Sequence, residues 1–135
     1  PALAAMANGS INWTTDTIKV ALCTSAYTPD QDAHDFFNDV TNEVTGTGYT
    51  AGGATLGSKT SAYTGGTNTT ALDAADTTWS ASTITARYAI IYKSTGTAAT
   101  SPLIGWVDFG ADVVSSAGNF TITWDAGGIF TLNTP

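Results

Sequence analysis

Ile84-Thr-Ala-Arg-Tyr-Ala-Ile-Ile-Tyr-Lys93 and Leu103-Ile-Gly-Trp-Val-Asp-Phe109 decide the fold. Both runs are rich in β-branched and aromatic residues, which pack well on a pleated surface. Ser94 to Pro102, between them, is a loop of small residues, so the pair reads as a long β-hairpin. Side chains alternate sides along a strand. Ile84, Ala86, Tyr88, Ile90 and Tyr92 therefore share one face, and Thr85, Arg87, Ala89, Ile91 and Lys93 share the other. In the second run Leu103, Val107 and Phe109 oppose Ile104, Trp106 and Asp108. Both faces carry apolar residues. That pattern predicts central strands, covered on one side and partly covered on the other.

Upstream of the hairpin, Leu3 to Ala7 reads as a short helical turn stopped by Asn8-Gly9, where glycine suits a left-handed cap. It is too short to stand alone, so it docks on a neighbour or arms a partner subunit. Ile18, Val20 and Leu22 alternate with Thr17, Lys19 and Ala21 as a half-buried strand. Thr28-Pro-Asp-Gln reads as a helix start. Ala33, Phe36, Phe37 and Val40 follow at helical spacing, which predicts an α-helix over residues 29–40. Ala54 to Tyr63 and Asn68 to Asp73 read as weak strands suited to a sheet edge. Thr77 to Ser80 reads as a short strand with Trp79 inward. Downstream, Gly110 to Gly118 reads as a loop, Phe120 to Trp124 as an alternating strand, and Ile129 to Leu132 as the last strand. The predicted fold is all-β: an antiparallel β-sandwich with one short α-helix at 29–40 and a short N-terminal helical turn. Residues 1–135 form a single domain with an N-terminal arm at 1–10.

Composition narrows the function. The formal net charge is −7, and the only basic side chains are Lys19, Lys59, Arg87 and Lys93. Nucleic-acid binding needs a basic surface that displaces counterions, so a nucleic-acid partner is not expected, nor is an anionic membrane. No apolar run approaches the roughly 20 residues of a membrane span. Pro1 to Gly9 lacks the basic region and apolar core of a signal peptide. Cys23 is the one cysteine; it excludes an internal disulfide and suits a small core position.

Reactive constellations are not found. Asp30, Asp32 and Asp35 are dense enough for a calcium loop, but Pro29, Ala33 and His34 break the alternation such a loop needs. They read instead as acids near a helix start. A lone His34 does not make a zinc site, and its Ser and Asp neighbours are chance company in this composition. Asp108 and Asp125 read as surface or turn residues rather than a glycosidase pair. Gly46 to Gly53 lacks the lysine and the following helix of a phosphate loop. No catalytic, cofactor-binding or metal-ligating residue is assigned. Tryptophans are the unusual resource. Trp79 and Trp124 suit the core; Trp106 suits an interface or a second covered face. Leu3, Met6, Trp13 and Trp106 are the candidate interface residues.

Gly9-Ser-Ile-Asn-Trp13, followed by Asp16-Thr-Ile-Lys-Val-Ala-Leu22, resembles a family of small bacteriophage virion proteins. The resemblance continues through Tyr27-Thr-Pro-Asp30 and Phe36-Phe37. It resumes at Asp73, Trp79 and Ser80, in Ala89-Ile-Ile-Tyr-Lys-Ser-Thr-Gly96, at Pro102-Leu-Ile104 and at Val107-Asp-Phe109. Residues 54–70 and a short, uncharged N-terminus depart from it. The resemblance implies a non-enzymatic virion structural protein with no catalytic residue to carry over. The placement expected from it, with the acidic charge, is capsid decoration (cement) on the outer surface of the head, after synthesis in the host bacterial cytoplasm. The expected partners are the major capsid protein and further copies of the chain, as a trimer. The alternative is a tail or head-fibre adhesion module that binds host-surface glycan through exposed tryptophan.

Overall fold

A computed structural model describes residues 1–133. The last two residues of the expected 1–135 domain lie outside them. Among the described residues seven strands form two antiparallel sheets. They are β1 (Ile18–Cys23), β2 (Ala54–Thr55), β3 (Thr60–Thr64), β4 (Thr69–Asp73), β5 (Thr77–Lys93), β6 (Leu103–Ile122) and β7 (Phe130–Asn133). The larger sheet has the order β2-β1-β5-β6 and the smaller the order β3-β4-β7. The one α-helix, α1 (Ala2–Ala7), is the expected N-terminal turn. The fold class is all-β, as the alternation and composition predict.

The hairpin is longer than its two runs. Residues 77–80 are the start of β5 rather than a separate strand, and residues 110–118 lie within β6 rather than in a loop. Bulges conceal this in the sequence, because each extra residue breaks the alternation that marks a strand. Pairing shifts between Trp79 and Ser82 and again between Ala86 and Tyr88. Ala81 and Ala117 take positive φ there. Ser82 and Ser115 are buried and share a hydrogen bond of 2.8 Å, and the Ile84 N–H donates to Ser115 Oγ.

The shift near Arg87 also changes which way β5 faces. Ile84 and Ala86 point into the sandwich, and so do Ala89 and Ile91. Ile90 and Tyr88 pack on the opposite side with Cys23, Tyr27 and Leu103. The single unbroken alternation expected across residues 84–93 therefore does not hold. The main core lies between the sheets and joins Ile18, Val20, Leu22, Ile84 and Ile91 to Leu72, Trp79 and Phe120. The second face is covered by Tyr27, Phe37 and Val40, while Val44 and Tyr49 further on pack on the main core, so β1 is buried on both faces rather than half-buried.

The α-helix expected over 29–40 does not form. Asp30 Oδ1 accepts the N–H groups of Asp32 and Ala33, which fixes a turn. Asp39 Oδ2 accepts those of Asp35 and Phe36, and only Phe37–Asp39 coils, as a 3-10 turn. Short acidic side chains offer backbone N–H groups a local alternative to helix bonds. Packing completes the override: Phe37 stacks on Tyr92 at 4.1 Å, and Phe36 pairs with Pro102 as an isolated bridge.

A part-buried polar cluster pins residues 43–52 beside β1. Glu43 Oε1 accepts from Tyr49 Oη at 2.7 Å and from the Gly52 N–H at 2.6 Å. Tyr49 Oη in turn accepts the Leu22 N–H, and Tyr92 Oη donates to the Gly52 carbonyl. Gly53 has positive φ, and a β-carbon there would run into the Val20 carbonyl oxygen.

Candidate functional site

The feature that stands out is the outer edge of β6. This strand is 20 residues long, and it ends its sheet. Unpaired strand edges present a row of backbone donors and acceptors, and proteins shield them with charge, proline or short length. Within β6 the shielding is slight: two aspartates, Asp108 and Asp112, and no lysine, arginine or proline. Asp108 is engaged by Arg87, at 3.0 Å from Nε. Trp106, Val107, Val113 and Val114 along this strand are exposed, Val114 by 65%.

At its start, β6 lies in a cleft of about 370 Å³. Residues 103–106 line it together with the N-terminal residues 1–3 and side chains from the 27–35 segment. Trp106 is 42% exposed and Leu3 62% exposed. Asp30, Gln31, His34 and Asp35 supply its polar lining. His34 Nδ1 lies 3.0 Å from Tyr27 Oη, and the two rings stack. Burial, with the nearby Cys23, Asp39 and Asp30, pushes the Tyr27 phenol up to about 12. The Ala33 and Asp32 N–H groups hold the Asp30 carboxyl below the usual carboxylate range, so it is charged at neutral pH.

The four candidate interface residues separate. Leu3 and Trp106 both line the cleft. Met6 is partly buried and packs on the main core with Ala5. Trp13 is corrected to a core residue. It is 4% exposed, its indole N–H donates to the Asp73 carbonyl at 3.0 Å, and Phe130 meets its ring edge-on. A ring so enclosed has no face left for a partner. The N-terminal segment lies against its own chain: the Ile11 N–H donates to the Ala5 carbonyl, and Lys93 Nζ donates to that of Ser10.

Sequence reasoning placed Asp30, His34 and Asp35 on a helix and so missed their place beside Trp106. Their density of charge was the available signal; the turn that aims them was not. Cys23 is fully buried, and burial, with Glu43 nearby, pushes its thiol up to about 12. It is not a nucleophile at neutral pH. Among the described residues no group of three or more His, Cys, Asp or Glu side chains is placed to hold a metal ion. No helix among them is long and apolar enough to cross a membrane. No family model, curated protein or solved structure matches this chain.

Proposed function

We propose that this chain is a non-enzymatic bacteriophage virion structural protein, a decoration protein that binds the outer surface of the head. The observation that carries the reading is the long open edge of β6 with its exposed apolar side chains. Such an edge is completed by a strand or surface from elsewhere. The net charge of −7 suits a particle exterior, since packaged genome repels an acidic surface. The resemblance at residues 9–30 and 89–109 points to the same class. The partners are the major capsid protein and further copies of the chain in a three-fold arrangement, with neither nucleic acid nor membrane engaged.

The test adds the purified chain to expanded heads of a phage that carries it. Co-sedimentation, with density on the outer shell by electron microscopy, is the expected result. A chain that stays in solution, or density inside the head, overturns the reading. A second reading, the glycan-binding adhesion module, draws on the exposed Trp106 beside Asp30, Gln31 and Asp35, because sugar faces stack on aromatic rings while carboxylates and amides take their hydroxyls. It predicts glycan binding that is lost in Trp106→Ala.

A further inference from the structure

We propose that the cleft takes an extended segment of the shell protein, in which Lys or Arg side chains flank one apolar side chain, and that this segment adds to β6 as its next strand. The inference rests on the decoration reading and names the chemistry of its partner. The position of that strand is already partly occupied. The Leu103 N–H donates to the Asp35 carbonyl, the Phe37 N–H donates to the Ser101 carbonyl, both at 2.9 Å, and Phe36 pairs with Pro102. This short stretch lies antiparallel to β6 and ends at Asp35. There the chain is drawn aside by the turn in which the His34 N–H donates to the Asp30 carbonyl. The edge continues through Ile104 to Trp106 along the cleft with no strand among the described residues beside it.

The lining selects what lies there. Asp30 and Asp35 contribute carboxylates, and among the described residues no Lys or Arg side chain lines the cleft. Leu3 and Trp106 offer exposed apolar surface in the same cleft. A cationic segment with one apolar anchor matches both. A second copy of the chain does not: it carries a net charge of −7, and two of its four basic side chains, Arg87 and Lys93, are held by Asp108 and Asp16. Backbone pairing supplies affinity in strand addition, and side-chain contacts supply selectivity.

The test uses three probes: a blocked heptapeptide Thr-Lys-Thr-Leu-Thr-Lys-Thr, which as a strand puts its leucine and both lysines on one face, its glutamate counterpart, and a neutral oligosaccharide. Each is titrated into the full chain and followed by backbone amide shifts. The lysine peptide is expected to bind, with shifts concentrated at Ile104 to Trp106. Its affinity should fall about tenfold in the double variant Asp30→Asn, Asp35→Asn and weaken with added salt. Asparagine at position 30 keeps the oxygen that caps the turn, so the variant keeps its fold. Absence of peptide binding, equal binding of the glutamate peptide, shifts elsewhere, or a stronger response to the oligosaccharide overturns the proposal. Head binding separates the two readings. Heads bound equally by wild type and double variant overturn the cleft and leave decoration standing. A chain that ignores heads yet takes the peptide in the cleft overturns the shell protein as its source.

Discussion

At the scale of single residues, the fold depends on side chains that finish each other's hydrogen bonds. Tyr49 Oη receives the Leu22 N–H and donates to Glu43. In Tyr49→Phe a buried backbone N–H loses its acceptor and Glu43 loses a donor. An unsatisfied buried group costs about 1–3 kcal/mol, so the urea midpoint should fall accordingly with the slope unchanged. The tryptophans give a paired prediction. Trp13→Ala empties a core site and should cost about 3–5 kcal/mol, while Trp106→Ala should change stability by under about 1 kcal/mol. Thermal melts of both variants compare them directly. Trp79 was legible as inward because it sits in an alternating run. Trp13 was not, because its neighbours Asn12, Thr14 and Thr15 are polar and its burial comes from Phe130 and Asp73, far along the chain.

At the scale of elements, regular alternation was readable and its interruptions were not. The two runs of the hairpin and the N-terminal turn lie close to where the sequence placed them, but β6 is an edge rather than a central strand, and the single strand expected over 54–63 is split between β2 in one sheet and β3 in the other. The residues between Gly110 and Gly118 carry turn-forming composition yet pair with β5, since bulges absorb the mismatch. The 29–40 segment has helical spacing of its apolar residues, but Asp30 and Asp39 capture the N–H groups that a helix needs. The cleft was half legible: its acids and its tryptophan were noted, their meeting was not. Placement of β2 depends on a close backbone approach. Gly53→Ala would force a β-carbon against the Val20 carbonyl at positive φ. Loss of the β1–β2 pairing is the expected outcome, read as faster amide exchange at Ala54 and Thr55 together with a lower melting temperature.

At the scale of the whole molecule, one sheet carries two unlike coverings: a second sheet on one face and irregular chain around Tyr27, Phe37 and Val40 on the other. The packing around β1 and Glu43 is sensitive to alkali. Burial, with Glu43 beside them, pushes Cys23 and Tyr92 up to about 12, and burial with the Glu43 hydrogen bond raises Tyr49 further. Each is an acid whose folded pKa lies above its unfolded one. The stability they contribute is therefore complete below about pH 8 and is lost as pH rises through the folded values. Urea midpoints taken from pH 7 to pH 11 should hold level to about pH 8 and decline above it, and Cys23 should resist a thiol reagent until they do. A midpoint flat to pH 11 contradicts this. The slip in β5 beside Arg87 has a consequence for how the chain can change length. Removing or adding one residue between Ala86 and Ala89 would turn Ala89 and Ile91 outward and send Tyr88 and Ile90 between the sheets. Related chains can therefore drift in length at the hairpin tip or in the surface turns, while this short interval must keep its residue count.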